Sequence, residues 1–200
     1  METTGGVVGG QVSDGAGTAT GAEVRRPKMK VMVAIDESDG SFYALKWALD
    51  NLFPTIAGLG SSTPEASLGN VGIVYLVHVI QPFHQYIVPA GPGGAVFTTP
   101  SLVESVRKAQ EESAAAILSR ALQMCKDKLI KAETITFTGD PKELICQATE
   151  QMPVDLLLIG SRGLGMLQRA FIGSVSDYCA HHAKCSILIV KPPREHHHTK

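Results

Sequence analysis

The chain has almost no net charge, no cysteine pair at metal-binding spacing and no long apolar run. Each absence removes a class of function. A formal net charge of −1 provides no basic field of the kind that draws a protein to nucleic acid or to an anionic membrane. No apolar stretch approaches the roughly 18 residues that a spanning helix needs, and the N-terminus carries no hydrophobic secretory segment. The four cysteines, Cys125, Cys146, Cys179 and Cys185, include no C-x-x-C pair, which argues against zinc. Three of them fall in predicted helices. All are read as buried thiols in a reducing compartment, the cytoplasm or also the nucleus. The chain also lacks G-x-x-x-x-G-K-[ST], so no P-loop lysine is available for phosphoryl transfer.

What is present is enough apolar material for a packed core, 44% hydrophobic against 18% charged, in a chain of a length that suits one domain. Residues 1–27 are a Gly- and Thr-rich leader. Such a segment cannot bury enough apolar area to offset its ordering entropy, so disorder is expected there. Residues 28–193 hold the periodic pattern of a domain. Residues 194–200 are a polar tail with His196, His197 and His198, read as solvated.

Within the domain, Lys30 to Ile35 and Val71 to Val79 are near-continuous β-branched runs. They suit strands buried on both faces of a parallel sheet. After the first, Asp36 to Ser41 supply turn and N-cap residues. A helix follows with Phe42, Leu45, Ala48, Leu49 and Leu52 on one face, and Pro54 is expected to end it. Thr55 to Asn70 reads as a loop, and Ile80 to Pro100 as a longer one of a length usually tied to function or mobility. Ser101-x-x-Glu104 is a capping box before the longest helix, which reaches about Leu129. Its core stripe is Leu102, Val106, Ala109, Ser113, Ile117, Ala121, Met124 and Cys125. Glu133 to Thr138 alternates Ile135 and Phe137 with threonines, as a half-wet edge strand does. Asp140-Pro141 opens a helix through about Gln151 that turns Leu144, Ile145 and Ala148 inward. Pro153 breaks it. Leu156 to Ile159 is a fourth strand, Ser174 to His182 a last helix, and Ser186 to Val190 a last strand.

Strands alternating with crossover helices imply a doubly wound α/β fold, a five-stranded parallel sheet with helices on both faces. In such a sheet ligands bind beyond the strand carboxyl ends, where the strand order reverses. With the order 3-2-1-4-5 the reversal lies between strands one and four, which end at Asp36 and Gly160. The fourth strand runs into Gly160-x-x-Gly163-x9-Gly173-Ser174. Glycines let a ligand approach the main chain closely, and N–H groups that finish in a helix N-terminus attract anions, phosphate foremost. Topology and glycine chemistry thus point to one crevice.

At this point the sequence resembles the universal stress protein family, in its plant-like, ATP-binding form. The residues that carry the resemblance are Val33 to Ser38 (VAIDES), the glycine motif, Val77-His78-Val79 and the closing Ser186 to Val190. The resemblance implies the order 3-2-1-4-5 and a nucleotide site. Ala34, Ile35 and Asp36 would lie at the adenosine end and Val79 would offer backbone contacts to adenine. Gly160, Arg162 and Gly163 would line the phosphate loop, with Gly173, Ser174, Val175 and Ser176 holding phosphates. The ligand implied is ATP, or AMP or ADP, with Mg²⁺. Bland roles stand beside these. Asp36 or Ser174 could only cap a helix, Arg162 could lie in solvent, and His78 reads as a packed core histidine.

Three functions fit: a nucleotide-dependent switch for an unidentified protein partner in the stress response with little or no turnover, a slow ATP hydrolase or phosphotransferase, and a nucleotide-independent chaperone-like dimer. The edge position and apolar character of Ser186 to Val190 add an expected homodimer through that strand.

Overall fold

The computed structural model describes residues 28–58, 71–82, 88–89, 95–96, 100–161 and 172–193. The expected leader and tail, the Gly/Ser-rich loop over 59–70 and most of the segment before Pro100 lie outside the described residues.

Five parallel strands form the sheet: β1 (Met29–Ala34), β2 (Val71–Ile80), β3 (Ala132–Thr138), β4 (Leu156–Gly160) and β5 (Ser186–Val190), in the order β3-β2-β1-β4-β5. This is the order 3-2-1-4-5. A separate antiparallel pairing joins Val88–Pro89 to Ala95–Val96. The helices are α1 (Asp39–Trp47), α2 (Phe53–Gly58), α3 (Pro100–Asp127), α4 (Pro141–Gln151) and α5 (Ser174–His182).

Successive residues of a strand point to opposite faces, and β1 shows the consequence. Val31 and Val33 enter one core with Leu45, Phe53, Leu76, Ile117, Leu118 and Leu158 under α1 and α3. Met32 and Ala34 enter a second with Val77, Ile145, Leu157 and Cys179 under α4 and α5. A strand covered on both faces and paired on both edges has no wet side, so it reads as an unbroken apolar run. Each fully buried Val or Leu contributes about 1.5–3 kcal/mol. The edge strand β3 keeps Ile135 and Phe137 half-buried and its threonines exposed. Cys125, Cys146 and Cys179 are buried in helices and Cys185 is half-buried. Burial pushes the Cys125 thiol up to about 11.

Three expectations are corrected. Pro54 does not end the first helix: α1 passes into a π-helical turn, Ala48–Leu52, and α2 runs on to Gly58. The wider turn closes with the Phe53 N–H donating to the Ala48 carbonyl, which relieves the clash a proline ring otherwise makes one turn back. The capping box is not formed. The long helix already includes Pro100 and Ser101, with proline in the first turn where its missing N–H costs nothing, and Glu104 turns to Arg107 at 2.7 Å instead. The core stripe holds only for the lower part of α3, where Ala114, Ile117, Leu118, Ala121 and Cys125 are buried. Leu102, by contrast, is 49% exposed.

Candidate functional site

Beyond the carboxyl ends of β1, β2 and β4 lies a cavity of about 790 Å³. Its floor and walls bring together Ala34, Ile35, Asp36, Val79, Gly160, Gly173, Ser174, Val175 and Ser176. Of the sequence-predicted site residues, only Arg162 and Gly163 lie outside the described residues.

Asp36 follows the last buried residue of the first run. Its Oδ1 accepts from the Ser38 N–H at 3.0 Å and from the Ser38 hydroxyl, while Ser38 itself caps α1 by accepting from the Ser41 N–H. Asp36 is thus not the cap; it fixes the residue that is. With Oδ1 held by Ser38, no described residue bonds its other carboxylate oxygen, and the side chain is aimed by a local network rather than by packing.

Gly160 ends β4 for a reason of its own. A Cβ there would meet the Gly40 carbonyl oxygen at 2.8 Å and the Ser41 nitrogen at 3.1 Å. Close approach of the first turn of α1 to β4 therefore requires glycine, independent of any ligand. Next to it, Ser161 is 2% exposed and its hydroxyl has no partner among the described residues. Its backbone is well tied: the N–H donates to the Val190 carbonyl and the carbonyl accepts from the Gly173 N–H at 2.7 Å.

That last bond sets the start of α5. Gly173, not Ser174, is the N-cap, and it makes no side-chain cap bond. The first N–H groups of a helix have no intrahelical acceptor, so Ser174, Val175 and Ser176 present theirs at the positive end of the helix dipole. The Ser176 hydroxyl is already committed, donating to the Gly173 carbonyl at 2.9 Å. The Ser174 side chain is exposed. The helix is held from behind by α4, where the Cys146 and Cys179 sulfurs approach to 3.6 Å; burial raises both thiols above the ordinary range, Cys179 strongly.

Sequence reasoning missed one whole wall. Val106, Ala109, Gln110 and Ser113 of α3 line the cavity, and the Gln110 side-chain amide donates to the Gln81 carbonyl at 2.9 Å. Pro141 and Ile145 of α4 close the other side, and His78 stands in the wall from β2. Helix length was the available signal: 28 residues at about 1.5 Å each reach well past a ten-residue strand at about 3.3 Å each.

Residues 28–191 match the model of the universal stress protein family. The universal stress protein A-like protein of Arabidopsis thaliana is 32% identical over 97 residues, covering 48% of this chain and 55% of the relative, so this chain matches about half that relative's length. The universal stress protein YxiE of Bacillus subtilis is 27% identical over 162 residues, 81% of this chain and 98% of the relative. A solved universal stress protein family protein from Arabidopsis thaliana with AMP bound is 23% identical with a TM-score of 0.53, covering 82% of this chain and 92% of its own; it shares the fold.

Proposed function

The chain belongs to the universal stress protein family, and from that premise we propose that it binds an adenine nucleotide, ATP or its products ADP and AMP, as a switch for a protein partner in the stress response, with little or no turnover. The cavity carries this reading. One space is lined by the ends of β1, β2 and β4 and by the uncapped start of α5. In this reading Gly173 to Ser176, with Gly160, Arg162 and Gly163, take the phosphates, Asp36 takes the ribose and Val79 the base, over a floor of Ala34 and Ile35. Mg²⁺ enters as the counter-ion of the triphosphate. Among the described residues no three His, Cys, Asp or Glu side chains gather to hold a metal, so the phosphates would be its main ligands. The AMP-bound Arabidopsis structure supports the choice of nucleotide, and the missing P-loop lysine supports binding over rapid transfer.

The test is to denature the purified protein, identify released nucleotide, and titrate ATP calorimetrically into wild type and Gly163→Val. We expect the variant to keep its circular dichroism and lose at least tenfold in affinity, about 1.4 kcal/mol. Equal affinity in a folded variant removes the site; no binding of any adenine nucleotide at millimolar concentration removes the function. Turnover in the range of kinases, about 1–100 s⁻¹, would replace the switch by an enzyme.

A homodimer through β5 belongs to the same proposal. In the described sheet β5 pairs with β4 alone, and Ile187, Leu188 and Ile189 stay half-buried on that edge. Unpaired N–H and C=O groups along an apolar edge invite a second copy, antiparallel by two-fold symmetry. Light scattering should give a dimer at micromolar concentration and a monomer for Ile189→Pro; a monomeric wild type refutes it. No helix among the described residues is long and apolar enough to cross a membrane, and the cytoplasm, with the nucleus, is the compartment we propose.

A further inference from the structure

His78 is buried at 9% exposure, yet it lines the cavity. It follows Leu76 onto the α1 and α3 side of the sheet, since alternate strand residues share a face and Leu76 belongs to that core. Its Nδ1 lies 2.9 Å from the Ile35 carbonyl. A carbonyl can only accept, so Nδ1 carries the hydrogen, and in the tautomer with that hydrogen Nε2 is a bare acceptor. No described residue bonds Nε2. The contact with Ile35 also fixes the ring plane, so the acceptor is held in place before any ligand arrives. Among the described residues the only buried side-chain polar atom without a partner is the Ser161 hydroxyl, so Nε2, which they leave unbonded, opens to the cavity rather than being sealed in the core.

The position of His78 selects what meets it. The phosphate end of the site lies at the start of α5, above β4. Neighbouring strands are about 4.8 Å apart, so β2, two strands away, stands about 10 Å off. A nucleotide held by its phosphates at α5 therefore spans the end of β1, with its ribose near Asp36, and reaches β2 with its base. There β2 extends past β1, whose last residue Ala34 pairs with Val77, leaving His78 and Ile80 on the α3 side of the sheet and Val79 on the α4 side. Resting on the nucleotide reading above, we propose that His78 Nε2 accepts a hydrogen bond from the exocyclic 6-amino group of adenine and is the residue that selects adenine over 6-oxo purines. That amino group has two hydrogens, so a bond to His78 leaves one for the main chain at Val79. A 6-oxo purine would set its oxygen against Nε2, two acceptors with no proton between them. A site built to bond one polar group rejects an analogue that lacks it far more sharply than it rejects a change of size.

The experiment compares ATP, purine riboside triphosphate (hydrogen in place of the 6-amino group), inosine triphosphate and 2′-deoxyATP by calorimetry, in wild type and in His78→Phe. Wild type should prefer ATP over both base analogues by at least tenfold, and in a folded His78→Phe the preference for ATP over purine riboside triphosphate should shrink by at least about threefold, the remainder being the bond to the Val79 main chain. Independently of whether that variant folds, the ¹⁵N resonance of His78 Nε2 should shift with ATP and stay in place with purine riboside triphosphate. Wild type that binds ATP and the base analogues equally overturns the assignment, as does a folded variant that keeps the full wild-type preference. Loss of discrimination confined to 2′-deoxyATP would overturn it too, by giving the acceptor to the ribose. A wild type that binds no nucleotide at all is a different result: it refutes the nucleotide reading itself.

Discussion

The two halves of α3 carry similar side chains and end in different surroundings. Below Ser113, Ala114, Ile117, Leu118, Ala121 and Cys125 are buried against the sheet. Above it, from Pro100 to Ser113, no residue is fully buried, and Val106, Ala109, Gln110 and Ser113 face the cavity. One stripe of apolar and small residues runs through both. Helical periodicity therefore reports which face of a helix is turned inward. It does not report whether protein or ligand space lies opposite. The same division separates Gly160, which sits against the backbone of α1, from Gly173, which opens α5 beside the cavity, although both belong to one sequence motif. The molecule has a floor, set by protein contacts, and a rim, left for something else.

The sharpest contrast comes from the floor. Leu118→Ala should cost about 2–5 kcal/mol in denaturant unfolding, since the surrounding core relaxes only in part, while ATP affinity per folded molecule stays unchanged. A variant with intact stability would mean that the lower half of α3 is not core.

Gly160→Ala is the next largest and decides to which side that residue belongs. The new methyl meets the Gly40 carbonyl at 2.8 Å, a backbone atom that cannot swing away, so a cost of about 1–3 kcal/mol is expected. If the glycine served only phosphate approach, stability would hold and affinity alone would fall. Calorimetric binding and thermal unfolding on the same sample distinguish the two.

On the rim the order of effects inverts. Ala109 is exposed and lines the cavity. Ala109→Trp should change stability by no more than about 0.5 kcal/mol, as surface substitutions do. By filling the cavity it should weaken ATP binding at least tenfold, about 1.4 kcal/mol. A variant that binds as wild type would show that the upper half of α3 is not a wall of the ligand site.

The division also explains how much could be read in the sequence. The strands were legible because burial on both faces writes an unbroken run: β5 falls on Ser186 to Val190 and β2 differs by one residue at its end. The start of α5 was legible because glycine followed by serine marks it. What was not legible depended on neighbours distant in sequence. Gly160 needs Gly40, which lies on another element. His78 reads as core from its apolar strand, and only the Ile35 carbonyl and the cavity give its two nitrogens different work. Pro54 reads as a stop because a π-helical turn leaves no composition signal. The capping box failed because Arg107, one turn on, competes for Glu104 through two hydrogen bonds.

The smallest effect lies at the lower end of α3, where the helix stops. Leu129 has φ of 57°, the left-handed conformation that glycine usually takes just past a helix end. The Ile130 N–H reaches back to the Cys125 carbonyl at 2.9 Å, and Ile130 is buried at 8% exposure, so the turn is fixed by a hydrogen bond and a hydrophobic contact while Leu129 itself is 78% exposed. Its side chain contributes little burial and sits in a conformation that costs an L-residue about 1–2 kcal/mol. Leu129→Gly removes that cost and adds about 0.5–1 kcal/mol of backbone entropy to the unfolded chain. The net gain is about 0.5–1 kcal/mol, a rise in Tm of about 1–4 °C for a domain of this size. ATP affinity should not move, because the substitution lies at the floor end of the helix and far along it from Ala109. A lowered Tm would mean that the exposed leucine packs on something outside the described residues, and a change in affinity would mean that the lower end of α3 is coupled to its rim.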